Sequence, residues 1–177
     1  MVEQITKPMR FDGSVSFDIG STYASFDRGP IGGLTTYFTL VSPELGANGN
    51  PAHIRLGGRV GASFYFVPTN EFVDVTTENL LTKKCRYPED RSVFGVRIFA
   101  GPEVDIPIAD IVSLRFSPGG VFRYDTSVGF KAGAAITTSL IVDLASWATL
   151  MFHFTSDLYM ESDTQQFIFG AGLGFRI

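Results

Sequence analysis

The chain has 177 residues, of which 19 are glycine and 17 phenylalanine, and its formal net charge is −4. This length predicts a single domain over residues 1–177, and the acidic balance gives no basic field for a nucleic-acid partner. The single cysteine, Cys85, excludes an internal disulfide, and no apolar run reaches the roughly 18–20 residues of a membrane-spanning helix.

Apolar and polar side chains alternate with a period of two along most of the chain, which predicts β-strands. In chain order, we predict eight strands, near residues 9–25, 32–42, 53–67, 93–106, 111–124, 127–142, 146–159 and 165–177. The last strand shows the pattern most clearly, because Phe167, Phe169 and Leu173 share one face while Gln166 and Arg176 fall on the other. An even number of long strands favours an all-β, antiparallel, up-and-down barrel that closes on itself.

The predicted connections differ between the two ends of the barrel. One end of the barrel receives the link 43–52 and two tight turns at 107–110 and 143–145. The opposite end receives loops at 26–31, 67–92, 125–126 and 160–164. Short periplasmic turns and longer external loops are typical of transmembrane barrels. The loop 67–92 is therefore the one sizeable external feature that we predict.

Alternation alone does not say which face points inward, and a soluble carrier of the lipocalin type would bury the apolar face. Here the apolar face carries large Phe, Leu, Ile and Val side chains that would overfill a narrow barrel, while the polar face carries many small residues that suit a crowded interior. Aromatic residues near strand ends fit interfacial girdles; these are Phe11, Tyr23, Phe66, Phe94, Tyr124 and Tyr159. We therefore predict apolar side chains facing lipid and charged ones facing the axis.

The last nine residues, Phe169 to Ile177, alternate glycine with apolar side chains and end in Phe175-Arg176-Ile177. This ending resembles the closing strand of the OmpX, Ail and opacity-type barrels, which are related in architecture to the OmpA membrane domain. That family usually ends in an aromatic residue, which Ile177 replaces here. The resemblance implies an eight-stranded barrel in the outer membrane. Because the residues from Met1 to Gln4 do not begin a secretory signal, we expect the natural precursor to carry one.

The predicted inward face carries many ionisable side chains. They are Asp12, Asp18, Arg55, Arg59, Arg97, Glu103, Asp105, Arg115, Arg123, Lys131, His153, Asp157 and Arg176. Unpaired charges in a confined interior are costly, so we expect an ion-pair network that fills the lumen. The alternative is a narrow, arginine-lined pore for small solutes.

His153 is the one candidate for catalysis. Outer-membrane lipid A deacylases use a His-x-Ser pair and a Glu, whereas this chain has Thr155 at the serine position. Ser156 falls on the lipid face and Glu161 in a loop. A serine hydrolase needs its nucleophile and base within hydrogen-bond reach, so we predict that the chain is not an enzyme. The sequence also lacks metal-ligand spacing, and we predict no cofactor.

Together these features predict an integral outer-membrane protein with a structural or surface-interaction role, such as adhesion or host contact. We expect a monomer in contact with membrane lipids or lipopolysaccharide, and a host or envelope ligand that contacts loop 67–92. The alternatives are a small-solute pore, an outer-membrane lipid-modifying enzyme and a soluble lipocalin-like carrier.

Overall fold

A computed structural model describes residues 9–23, 28–42, 54–67, 93–125, 129–160 and 165–177. Its eight strands are β1 (Arg10–Tyr23), β2 (Arg28–Val41), β3 (Arg55–Val67), β4 (Val93–Ala109), β5 (Val112–Asp125), β6 (Gly129–Asp143), β7 (Ala148–Tyr159) and β8 (Gln165–Arg176). Even the shortest strands have 12 residues, which exceeds the 9–11 that a tilted strand needs to cross a bilayer.

Each strand pairs with the next in antiparallel fashion, and β8 pairs back with β1 to close the barrel. At the closure Phe11 and Ile177 exchange backbone hydrogen bonds of 3.1 and 2.9 Å. Closure leaves no open sheet edge, where backbone N–H and C=O groups would lack hydrogen-bond partners in lipid. The predicted antiparallel eight-stranded barrel is confirmed.

The barrel has two ends. The turn end holds the start of β1, the end of β8 and the connections at 110–111 and 144–147; the opposite end is called the loop end. The predicted loop 67–92, with Cys85, lies outside the described residues except for Val67, which ends β3. Among the described residues, no helix is long and apolar enough to span a membrane.

Three predicted boundaries are wrong. β2 begins at Arg28, inside the predicted loop 26–31. β4 continues to Ala109, so that only Asp110 and Ile111 form the turn predicted at 107–110. The register shifts between Pro107 and Ala109, and such an irregularity accommodates a residue that cannot donate to the ladder. Asp143 ends β6 rather than opening a turn.

Most of the large apolar side chains face outward, as predicted. Phe17 is 77% exposed and Phe169 56%, whereas Arg97 is 0% and Arg115 3% exposed. This inside-out distribution is that of a barrel surrounded by lipid. Tyr159 corrects one prediction: it is buried in the lumen instead of standing in an outer girdle, because it lies an even number of residues from the inward Asp157.

Candidate functional site: the lumen and the outer belt

A cluster of charged side chains fills the lumen near the turn end. This turn-end cluster consists of Arg10, Asp12, Arg55, Arg59, Glu103, Asp105, Arg115, Asp143 and Arg176. Arg115 on β5 is at its centre and contacts acids from two strands: Asp12 on β1, Glu103 at 3.6 Å and Asp105 at 3.7 Å on β4. This buried arginine thus links β5 to the adjacent strand β4 and to β1 on the opposite side of the barrel.

The outermost members of the turn-end cluster are half-buried. Arg176 makes two parallel hydrogen bonds to Asp143, of 2.8 and 2.7 Å, the bidentate geometry that strengthens an arginine–carboxylate pair. Arg10 and Arg55 both reach Asp105, at 3.1 and 3.4 Å. The cluster is therefore paired from its rim to its centre.

Two further buried groups stand between the cluster and the other end of the lumen. Asp18 accepts hydrogen bonds from Ser16 (2.9 Å) and Thr35, and its Oδ1 lies 3.4 Å from His153 Nε2. The His153 ring meets Tyr37 edge-on, with ring centroids 5.2 Å apart. Tyr37 in turn lies under the Arg59 guanidinium, which is 4.0 Å from its ring centroid.

An apolar cluster occupies part of the lumen. Its members are Tyr37, Phe99, Val121, Ala135, Ile141, Met151 and Tyr159. Along β4, Phe99 stands between the inward charges Arg97 and Glu103, and Val121 faces Phe99 on β5. A region of closely packed apolar side chains therefore interrupts the charged lining of the lumen.

A second polar group, the loop-end cluster, comprises Tyr65, Arg97, Arg123, Asp157, Tyr159 and Gln166. Arg97 makes two hydrogen bonds to Asp157, of 2.5 and 2.8 Å, and both side chains are fully buried. Tyr159 donates to Asp157 at 3.1 Å. The Arg123 guanidinium lies over the rings of Tyr65 and Tyr159, at 5.0 and 5.7 Å.

The structure places ten of the predicted inward residues in the turn-end and loop-end clusters, and Asp18 and His153 between them. Ten of the thirteen are buried, and Arg55, Lys131 and Arg176 are half-buried. Lys131 faces Arg123 across β5 and β6. Arg10 and Asp143 were missed, although Arg10 lies two residues from Asp12 and so shares its face. The lumen tyrosines were missed because sequence reasoning considered only charges.

Among the described residues, those considered for catalysis have other partners. Thr155 Oγ1 lies 3.1 Å from Thr137, Ser156 faces Phe167 on the outer side of β7 and β8, and Glu161 lies outside the described residues. Among the described residues, no group of three or more His, Cys, Asp or Glu is placed to hold a metal ion.

An apolar belt covers the outside of the barrel. Phe11 and Phe38 stack on the turn-end half, and Phe122 and Phe130 on the loop-end half, each pair at 5.9 Å between ring centroids. Such exposed aromatic surface is stable in contact with acyl chains and interfaces rather than water. The outer surface and the filled lumen together make a transmembrane barrel.

Solved structures with the same fold are membrane proteins. The attachment invasion locus protein Ail of Yersinia pestis, in complex with the heparin analogue sucrose octasulfate, superposes with a TM-score of 0.61 at 11% identity, over 97% of this chain and 100% of Ail. A second Ail structure gives 0.54 at 14% identity over the same shares. Neisserial surface protein A gives 0.52 at 9% identity, over 94% of this chain and 96% of that one.

No family model matches the sequence, and the comparison with curated proteins finds no similar sequence. At these identities the similarity to Ail and to the neisserial protein establishes the fold. The chain has the architecture of the small eight-stranded outer-membrane barrels, which supports an outer-membrane location in contact with the lipid bilayer.

Proposed function

We propose that this protein is a non-catalytic outer-membrane barrel whose role is structural or surface contact, with loop 67–92 as its principal contact surface. The observation that carries the proposal is the filled lumen. Its arginines and acids are paired with one another, as Arg97 is with Asp157, and hydrocarbon packs between them. The lumen is used to stabilise the barrel, which leaves the external connections to make contacts.

The similar structures support a contact role without defining a ligand. Ail is an attachment invasion protein that was crystallised with a heparin analogue, and the neisserial protein is a surface protein. The proposal for this chain is the broader one, that a rigid barrel presents loops to a partner outside the cell.

Deletion of the long loop tests the proposal. Residues 70–90 are replaced by a short Gly-Ser linker, which leaves the ends of β3 and β4 in place. We expect the variant to refold, as judged by a heat-shift gel, and to lose binding to cultured epithelial cells and to immobilised heparin. Undiminished binding to every such surface, or no binding by the parent protein, would contradict the contact role.

Recording from the same refolded protein tests whether the barrel is a pore. Eight strands leave an interior that side chains just fill, so planar-bilayer recording should show no discrete conductance steps. A steady unitary conductance that disappears on heat unfolding would replace the proposal with the small-solute pore.

A further inference from the structure

Five large apolar side chains are exposed at the turn end of the barrel, near or beyond the ends of the strands. They are Ile108, Ile111, Leu144, Trp147 and Ile177, which are between 57% and 82% exposed, and together they are called the turn-end ledge. Turns that face water are usually built from Gly, Pro, Asn, Asp and Ser. In the two turns that carry the ledge, 110–111 and 144–147, the polar residues are only Asp110 and Ser146.

Backbone hydrogen bonds place the members of the ledge side by side. The Asp143 N–H donates to the Ile111 carbonyl at 2.8 Å, so that Leu144, which follows Asp143, lies next to the β4–β5 turn. The Arg176 N–H donates to the Trp147 carbonyl at 2.9 Å, which brings the β6–β7 turn beside the end of β8. The ledge is therefore one continuous surface that runs along the ends of β4 to β8.

The ledge is also continuous with the lipid-facing belt. On β4, Ile108 follows the outward Ile106 in the alternation. On β8, Ile177 follows the outward Phe175 in the same way. Trp147 directly precedes the first residue of β7. Because the lipid that surrounds the belt already contacts the margin of the ledge, it is the apolar medium that covers the ledge as well.

The lumen at the level of the ledge is charged and partly open to water. Arg176 and Asp143, the bidentate pair next to the ledge, have side-chain exposures of 15% and 30%, whereas Arg97 and Asp157, deeper in the barrel, are fully buried. Water on the inside and large apolar groups on the outside place this level at the boundary between hydrocarbon and water. The amphipathic ring of a tryptophan is favoured in that layer.

The dimensions of the barrel agree with this level. A path along paired residues that starts at Arg115 on β5 and passes once around the barrel returns to β5 at Asp125, ten residues farther along. Such a stagger corresponds to a strand tilt of about 40°. The 12 residues of β7 then rise roughly 30 Å along the barrel axis, which is the thickness of the hydrocarbon core. With the ledge in one head-group layer, the loop end of β7 reaches the other.

We infer that the turn-end ledge is a membrane-anchoring surface, embedded in the head-group layer of the leaflet at that end of the barrel. Its partner is the glycerol and upper acyl region of phospholipids. Residues 108–111, 144–147 and Ile177 include no lysine or arginine, so the contact does not need an anionic head group. The ledge determines the depth of the barrel in the bilayer and is separate from the proposed contact role of the loops at the other end.

The fluorescence of Trp147 tests the inference, because the chain contains one tryptophan. The protein is refolded into phosphatidylcholine vesicles in which part of the lipid carries a nitroxide, either near the glycerol or near the end of an acyl chain. Relative to the urea-unfolded chain, we expect emission shifted to the blue and acrylamide quenching reduced severalfold. The shallow nitroxide should quench more strongly than the deep one.

Two results with the parent protein would overturn the inference. Emission and acrylamide quenching equal to those of the unfolded chain would show that the turns lie in water. Blue emission that moves to the red as the lipid-to-protein ratio is raised would show that a second copy of the chain covers the ledge. Trp147→Phe/Phe17→Trp is the depth control: it moves the tryptophan to the middle of the belt and should reverse the order of the two nitroxides.

The double variant Ile111→Asn/Leu144→Asn tests whether the ledge acts as one surface. It removes two apolar neighbours of Trp147 and should raise acrylamide quenching severalfold. Met160→Asn, which changes an exposed apolar residue after the other end of β7, is the matched control and should leave the quenching unchanged. Unchanged quenching in the double variant would overturn the shared surface. The measurement on the parent protein stands even if the double variant fails to fold.

Discussion

At the scale of single residues, the lumen is filled by pairing large side chains with glycines on the adjacent strand. Tyr37 lies over Gly61, its register partner, and Tyr65 lies over Gly95 in the same way. On the outside, the Phe175 ring covers Gly13. A narrow barrel has room for a tyrosine inside only where the facing position lacks a Cβ, so these glycines determine which rings fit.

Gly61→Ala should therefore destabilise the barrel by about 1–3 kcal/mol, because the new Cβ would overlap the Tyr37 ring and overpacking has costs of that size. Gly58→Ala is the matched control. It lies three residues away on the same strand and faces open space, so the loss of glycine's freedom in the unfolded chain should leave stability unchanged or slightly higher. Urea unfolding in lipid vesicles measures both; equal effects of the two substitutions would contradict the packing argument.

Asp157→Asn tests the buried pair with Arg97. Removing one partner leaves an uncompensated charge in the lumen, which typically costs about 3–5 kcal/mol. Adding Arg97→Met removes that charge as well and should recover much of the loss. The same unfolding assay reports both, and a double variant no more stable than Asp157→Asn would show that the ion pair does not account for the loss.

The alternation of the sequence was sufficient to assign the thirteen charged or titratable lumen residues to the inward face, because each lies an even number of residues from other inward residues of its strand. The prediction of an outer aromatic girdle relied instead on residue type near strand ends, and it is wrong for Tyr159. Tyr159 satisfies the description of a girdle residue, but its hydroxyl bonds to Asp157 and Gln166 inside the barrel. The face on which a side chain lies is set by its position in the alternation, and not by its residue type near the end of a strand.

At the scale of strands, the sequence predicted the number and order of the strands better than the residues at which they begin and end. β4 was predicted to end at 106, whereas the strand accommodates Pro107 with a shift in register and continues to Ala109. The pairs Ala100–Gly120 and Val104–Phe116 place Pro102 opposite Pro118, and sequence reasoning could not predict this because it depends on the register between two strands. Strand register is a property of the closed barrel rather than of either strand alone.

The ladder between β4 and β5 has no pair joining 101–103 to 117–119, and this gap should be visible in backbone hydrogen exchange. The amides of Gly101, Glu103, Ser117 and Gly119 should exchange faster than those of 150–154 and 169–173, which lie in the continuous ladder of β7 and β8. NMR of the protein in detergent micelles gives the comparison residue by residue. Equal protection in the two segments would mean that the missing pairs do not weaken the backbone hydrogen bonding of β4 and β5, which would contradict this prediction.

At the scale of the whole molecule, the distribution of side chains is the reverse of that in a soluble barrel: apolar residues dominate the outer surface and charged residues the lumen. The period of two is the same for both, so the decision came from volume: the full set of large apolar side chains would overfill the interior, whereas the face with many small and charged residues fits it. The long loop was predicted from length alone and lies outside the described residues, which leaves its role to the binding experiment.

An arginine placed on the outer belt tests this polarity directly. Phe17 is 77% exposed and lies midway along β1, opposite Leu34 and Ala171, so Phe17→Arg would place a charge near the middle of the bilayer. Such a charge costs about 2–4 kcal/mol at the midplane of a barrel and about 0–1 kcal/mol near the interface. Met160→Arg is the control, because Met160 is also strongly exposed, at 84%, but follows the loop end of β7.

Reversible unfolding of both variants in lipid vesicles gives the two free energies. We expect a large loss for Phe17→Arg and little change for Met160→Arg, since the second arginine reaches the water at the interface. Equal effects would contradict a lipid belt centred on Phe17. If instead Phe17→Arg were harmless in lipid and the variant stayed folded without detergent, the outer face would be in contact with water, and the membrane assignment would fail.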